Sequence, residues 1–233
     1  DPVYGFFTSG STGRPKLAVV AHHGLANRFA WMDTVFGTAS VTLQTTPHAF
    51  DSAVWQLLWP LCSGGHAVVP TASAALSADA LTQLIERHGV TIIDFVPSVL
   101  DALLPSFPRD PALPRKLSTL RHVILGGEAL HASRVRALRG LLPGVRVFNL
   151  YGPTEATIGC IAAEVTGSED VIPIGHPITN VRAAVLDHAR RLVPIGVPGE
   201  LYLGGACVGL GYFGDPDATR NAFLALPSID PPI

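Results

Sequence analysis

Near its start the chain carries Thr8-Ser9-Gly10-Ser11-Thr12-Gly13-Arg14-Pro15-Lys16, the equipment needed to hold a polyphosphate. Two glycines free the backbone for anion-cradling turns, the four hydroxyls of Thr8, Ser9, Ser11 and Thr12 supply donors, and Lys16 supplies a point charge. The stretch is not a Walker A loop. That motif needs GxxxxGK[ST] opening a helix, whereas here Pro15 precedes the lysine and a strand is predicted to follow. A polar surface hairpin would have a similar composition, but lysine usage argues against it. The chain has two lysines, Lys16 and Lys116, against fourteen arginines, so a lysine in this loop suits a site wanting a slim, flexible ammonium. A second group, Asn149-Leu150-Tyr151-Gly152-Pro153-Thr154-Glu155, directly follows a predicted strand. In a doubly wound sheet ligands bind at the carboxyl ends of strands. There Tyr151 could stack on a base, Thr154 could donate to phosphate and Glu155 could hold Mg²⁺. From the residues alone, a strand exit running into a helix-starting Thr-Glu is an equally good reading. Phe50-Asp51-Ser52-Ala53-Val54-Trp55 places a carboxylate at the start of a helical pattern, where Asp51 could serve as an N-cap.

Such groups need strands that end near one another. Short β-branched runs bounded by turn residues predict strands at Val3–Phe7, Leu17–Val20, Ala67–Val69, Thr91–Phe95, His122–Leu125 and Val145–Leu150. Helical patterns occupy Gly24–Thr34, Ser52–Leu61, Ser77–His88 with Ser77 as N-cap, Pro97–Leu104 and Ala132–Leu142. Strands alternating with helices predict an α/β fold with mostly parallel sheets flanked by helices over residues 1–156. From 157 to 233 the texture is β-rich, with strand-like runs at Ile158–Val165, Arg182–Leu186 and Glu200–Leu203 between Gly/Pro turns.

Composition narrows the function classes. With 48% hydrophobic and 15% charged residues the chain can bury a sizeable core. A net charge of -2 without a Lys/Arg cluster argues against nucleic acid or anionic membranes as partners. No apolar run approaches the ~20 residues that span a bilayer. Cys62, Cys160 and Cys207 form neither a CxxC nor a metal-ligand spacing, which fits a reducing cytoplasm. The adjacent His22 and His23 suit capping or solvent exposure better than catalysis. The abrupt start, DPVYGFFTSG, and the Pro-rich finish predict an internal fragment cut at both ends.

The nonamer closely resembles the phosphate-binding loop of the adenylate-forming superfamily, departing at Leu17 where the family usually has Gly. NxYGPTE resembles a signature of the same superfamily, in the same order along the chain. Ile124-Leu125-Gly126-Gly127-Glu128-Ala129 looks like the strand and turn beneath the adenine. PIGHPITN, Gly199-Glu200-Leu201-Tyr202-Leu203-Gly204-Gly205 and Gly209-Leu210-Gly211-Tyr212 look like later segments. FDSAVW resembles the FDxSxW stretch of the amino-acid-activating adenylation domains of nonribosomal peptide synthetases, with Ser and Ala exchanged relative to the usual order.

The resemblance implies that ATP and an amino acid yield an aminoacyl-AMP and pyrophosphate, with Mg²⁺, before transfer to phosphopantetheine on a partner carrier protein beside neighbouring synthetase domains. It implies catalytic roles for Lys16, Thr154 and Glu155, the last also as metal ligand. It places nucleotide at Thr8, Ser9, Gly10, Ser11, Thr12, Gly13, Gly127, Glu128, Asn149, Tyr151 and Gly152. The amino-acid pocket would comprise Asp51, Ser52, Trp55, Asp94, Ile124, Gly126, Leu150, Ile158 and Gly159, with Asp51 binding the α-ammonium. Asp94 at the pocket wall predicts a polar or basic amino acid. The family's ribose-binding aspartate and mobile-domain lysine would lie beyond Ile233, so the chain alone is expected to be inactive. An acyl- or aryl-CoA ligase using the same loop, or a non-catalytic nucleotide-binding module, are the alternatives.

Overall fold

Alternation of short β-branched runs with amphipathic stretches produces, in chain order, β1 (Pro2–Thr8), β2 (Lys16–Ala21), α1 (His22–Phe36), β3 (Val41–Leu43), α2 (Ser52–Cys62), β4 (His66–Val68), α3 (Ala78–His88), β5 (Ile92–Phe95), α4 (Pro97–Leu103), α5 (Leu113–Lys116), β6 (His122–Gly126), α6 (Ala132–Leu141), β7 (Arg146–Tyr151), β8 (Ile161–Val165), β9 (His176–Pro177), β10 (Val181–Leu186), β11 (Glu200–Gly205), β12 (Gly211–Tyr212) and α7 (Pro216–Ala222). The computed structural model describes residues 1–9, 13–71, 77–107 and 110–225. They fall into two compact units. One comprises Asp1–Trp31, Gly152–Cys160 and Pro177–Ile233, the other Met32–Tyr151 and Ile161–His176.

The second unit is built on a seven-stranded sheet ordered β4-β3-β5-β6-β7-β8-β9. Strands β4, β3, β5, β6 and β7 are mutually parallel, and β8 runs antiparallel to β7. Register assigns the two faces. Ile93, Val123 and Val147 are partners, as are Phe95 and Leu125, so these side chains share one face. That face packs on Leu81 and Ile85 of α3, Leu100 and Leu103 of α4, and Val135 and Leu138 of α6. Each such side chain, fully buried, contributes roughly 1.5–3 kcal/mol. The opposite face carries Ile92, His122, Asp94, Ile124, Phe148, Gly126 and Leu150. Phe36 lies there edge-on to His122 at 5.1 Å and to Phe148 at 5.0 Å between centroids, and Trp59 meets Phe36 at 6.2 Å.

Ser77 caps α3 as predicted, its hydroxyl accepting from Ala80 N–H at 3.1 Å, and Gly89 ends the helix in the left-handed region. In the first unit, β1 and β2 form an antiparallel hairpin that β12 extends beside β2, while β10 and β11 form a separate hairpin. His22 and His23 are exposed at the start of α1.

Two expectations are corrected, and some elements were not foreseen. The strand-like run predicted at Ile158–Val165 starts only at Ile161, because Thr157 and Ile158 adopt positive φ of 58° and 69°, incompatible with a strand. The strand β3 was not anticipated, nor were β12 and α7. The N-cap reading of Asp51 fails too. Its backbone is helical (φ -65°, ψ -25°) and its side chain makes no capping hydrogen bond.

Burial, reinforced by the nearby Arg146 and Arg121 charges, lowers the His122 pKa from 6.5 to about 4. The unfolded chain therefore binds a proton between those values that the folded one refuses. Stability should be full above about pH 6.5 and fall as pH drops toward 4. Urea unfolding of His122→Gln across that window should show a flatter pH dependence than the parent.

Candidate functional site

The hairpin β1–β2 brings Thr8 and Lys16 opposite one another as its last pair. Gly10, Ser11 and Thr12 lie outside the described residues; Ser9 and Gly13 flank them, exposed, with Gly13 at φ 79°. In the same unit Thr154–Ala156 form a single 3₁₀ turn that presents a half-buried Glu155. Tyr212 Oη donates to Glu155 Oε1 at 2.6 Å, and Thr8 Oγ1 donates weakly to the same oxygen at 3.5 Å. Lys16 Nζ sits 4.8 Å from the centroid of the Tyr212 ring, within cation–π range. Burial first, then the hydrogen bond to Glu155, pushes the Tyr212 phenol above its ordinary value, so it remains a donor at neutral pH. Gly209 N–H donates to the Glu155 carbonyl at 2.8 Å. A Cβ at Gly152 would come within 2.7 Å of Gly159 Cα and 2.9 Å of Cys160 N, so the turn closes only with glycine there.

Among the described residues no cluster of three His, Cys, Asp or Glu side chains could hold a metal on its own. Mg²⁺ is commonly bound by one or two carboxylates plus substrate phosphates. Glu155, within reach of the Thr8 hydroxyl, fits that donor set.

The second unit gathers the other predicted group. Asp94, Ile124, Gly126 and Leu150 share one sheet face at the carboxyl ends of β5, β6 and β7. The sheet accommodates Gly126 tightly, since a Cβ there would meet Leu150 O at 2.7 Å. Asp51 and Ser52, half-buried, stand at the start of α2, and Trp55, buried, follows one turn later. The buried Asp94 carboxylate accepts from Gln56 Nε2 at 3.1 Å, and Thr45 Oγ1 donates to its carbonyl at 2.5 Å. Gln56 is fully enclosed: its Oε1 accepts from Thr45 N at 2.9 Å and Thr46 N at 3.1 Å, and its Nε2 also donates to Thr46 Oγ1 at 2.8 Å.

Other predicted positions are occupied locally. Glu128 accepts from Ser98 N at 3.0 Å and Ser98 Oγ at 2.9 Å, bracing the start of α4 just after Gly127, whose φ is 83°. Asn149 donates to Pro173 O at 2.8 Å. Tyr151 is exposed at the end of β7. Ile158 and Gly159 are buried in the first unit.

The model of the family described as AMP-binding enzyme matches residues 1–213. The chain belongs to the AMP-binding enzyme family. It is 42% identical over 226 residues to phosphinothricin tripeptide synthetase PhsB of Streptomyces viridochromogenes, covering 96% of this chain and 19% of that protein. It is 39% identical over 234 residues to enterobactin synthase component F of Escherichia coli, covering 96% of this chain and 18% of that protein. The chain thus spans about a fifth of the length of these curated relatives. Among solved structures, the nonribosomal peptide synthetase FmoA3 in its α-methyl-L-serine-AMP bound form superimposes with a TM-score of 0.89 at 31% identity, over 98% of this chain and 26% of that one.

Tyr212 and Gln56 were not singled out as site residues from the sequence. Tyr212 carried a signal as the last residue of the Gly-rich GLGY stretch. Gln56 had none, being a polar residue in an apolar helix. Gln56→Leu would strip two backbone N–H groups and a buried carboxylate of their partner, costing about 1–3 kcal/mol for each buried group left unsatisfied. A lowered urea midpoint with an unchanged m-value would register it. Gly152→Ala should also destabilise, whereas Gly144→Ala, with open space around its Cβ, should not.

Proposed function

We propose that this chain forms the core of an amino-acid-activating adenylation domain within a longer synthetase. There the amino-acid carboxylate attacks the α-phosphorus of ATP, expelling pyrophosphate, and the aminoacyl group then passes to a carrier-protein phosphopantetheine thiol. The carboxylate is ionised at neutral pH, so no general base is needed for the first step. The protein's contribution is alignment and positive charge around the phosphates. In this reading Lys16 and the loop amides hold the departing pyrophosphate, Thr154 donates to the α-phosphate, and Glu155 binds Mg²⁺. Bound Mg²⁺ would neutralise phosphate charge and polarise the phosphoryl oxygen. Asp51 would hold the α-ammonium.

Asp51 is the observation that carries the amino-acid reading over an acyl- or aryl-acid ligase. It stands at a helix start without capping that helix, in the unit where Asp94, Ile124, Gly126 and Leu150 share a sheet face. The stretch FDSAVW resembles that of amino-acid-activating domains, where the aspartate meets the substrate α-ammonium, a group that a fatty or aryl acid lacks. Asp94 supports a polar or basic amino acid, because a wall carboxylate favours side chains that donate.

In the full-length synthetase, Asp51→Asn should reduce kcat/KM for amino-acid-dependent ATP–pyrophosphate exchange by about 10²-fold, the loss of a charge-assisted hydrogen bond of 1.5–3 kcal/mol. Equal exchange by the variant and the parent would remove the amino-acid reading. A parent preferring simple carboxylic acids would favour the ligase alternative. A second outcome concerns the pocket: exchange with Leu as efficient as with polar or basic amino acids would remove the role given to Asp94.

A further inference from the structure

We propose that Tyr212 is the positioning residue for the metal-binding carboxylate, fixing which oxygen of Glu155 meets Mg²⁺ while its ring seats the Lys16 ammonium. This rests on the reading of Glu155 given above and adds a residue from the Gly-rich segment to the phosphate half of the site.

The Tyr212–Glu155 hydrogen bond, 2.6 Å long, is anchored at both ends. On the tyrosine side, Tyr212 N–H donates to Thr219 Oγ1 at 2.9 Å, and Thr219 Oγ1 in turn donates to Asp215 O at 2.8 Å. Asp215 caps α7, accepting from Ala218 N at 2.9 Å. The ring of Phe223 packs edge-on to that of Tyr212 at 5.6 Å. On the glutamate side, Gly209 N–H holds the Glu155 carbonyl at 2.8 Å, and Thr157 Oγ1 donates to Cys207 O at 2.6 Å. The segment 207–212 therefore grips the turn by two backbone atoms and one side-chain oxygen.

Both hydroxyl donors to the Glu155 carboxylate, Tyr212 and Thr8, fall on Oε1. Committing one oxygen to a rigid donor aims the other, which we assign to the ion. Mg²⁺ demands near-ideal octahedral geometry and is intolerant of a swivelling ligand. Outer partners that orient a metal ligand typically account for 10–100-fold in metal affinity. The ring does a second job. Lys16 Nζ lies over it at 4.8 Å, and among the described residues no ion pair joins Lys16 to Glu155. Lysine and glutamate are both held by one tyrosine, so their charges remain available to phosphate and metal.

The test uses the full-length synthetase and Mn²⁺ as the probe, titrated by the electron paramagnetic resonance signal of the free ion in the presence of a non-hydrolysable ATP analogue. Tyr212→Phe keeps the ring and removes the hydroxyl. It should weaken Mn²⁺ about tenfold or more, leave metal-free nucleotide binding unchanged, and raise the half-saturating Mg²⁺ for pyrophosphate exchange by more than it lowers kcat. Parental Mn²⁺ affinity in Tyr212→Phe, with Glu155→Gln weakened, would overturn the role of Tyr212 alone. Undiminished Mn²⁺ affinity in Glu155→Gln would instead overturn the underlying reading of Glu155. Should Tyr212→Phe prove unstable in thermal melts, Phe223→Leu loosens the ring without touching the hydroxyl. It should weaken Mn²⁺ a few-fold, and no weakening there would likewise overturn the proposal.

Discussion

A carboxylate withdrawn from water must find donors that the protein holds still, and both units are organised around that requirement. Desolvating an ionised carboxylate costs several kcal/mol unless hydrogen bonds replace the lost water. In the second unit Asp94 on β5 is met by Gln56, whose amide is simultaneously locked to the Thr45–Thr46 backbone. In the same unit Asp33 accepts from Trp59 Nε1 at 2.9 Å and from Ser63 Oγ at 2.5 Å, which ties α1 to α2 and its exit. In the first unit Glu155 is met by Tyr212. Each acid is served by a side chain that is itself fixed, so the orientation of the carboxylate is decided before any ligand arrives.

The sheet of the second unit separates two tasks by face. The aliphatic face packs Ile93, Val123, Leu125 and Val147 beneath three helices and supplies the bulk of the burial. The other face can then carry Asp94 and a glycine, Gly126, which contribute little to a core. Aromatic rings of Phe36, Phe148 and Trp59 pack together with the neutral His122 on that face. A parallel sheet buried on both faces makes this division possible, since every strand end on the carboxyl side opens toward the same edge.

Much of this was legible because periodicity and caps are local. The Ser77 cap, the Gly89 stop and the β-branched runs of β5, β6 and β7 each announce themselves within a few residues. The strand-helix alternation implied a mostly parallel sheet, whereas the register that puts Asp94, Ile124, Gly126 and Leu150 on one face is seen only in the pairing of the strands. What escaped was non-local or short. β3 offers three residues, one of them the polar Thr42, whose hydroxyl is needed by Gln56 O at 2.5 Å. Tyr212 acquires its meaning only from Glu155, 57 positions away. The helix α7 did have a local signature, Asp215 followed by Pro216, an N-cap before an N1 proline, which the turn-rich surroundings masked.

The turn that carries Glu155 runs into strained backbone, and its neighbours explain how that strain persists. Thr157 (φ 58°, ψ 70°) and Ile158 (φ 69°) are consecutive β-branched residues in the left-handed region, each costing on the order of 1–3 kcal/mol. Residues 152–160 must leave β7 after Tyr151 and re-enter β8 at its partner Ile161, so the excursion has to close on itself. Glycine at 152 permits the close approach to Gly159 and Cys160, and glycine at 24 leaves room for Thr157, whose Oγ1 would lie 2.7 Å from any Cβ there. The Thr157–Cys207 hydrogen bond then makes the strained side chain itself an anchor. A relaxed turn would let Glu155 swing, whereas this one has its conformation over-determined by contacts distant in sequence. The same segment that anchors Thr157 also holds the Glu155 carbonyl and carboxylate, so one set of contacts fixes both the strained residues and the turn.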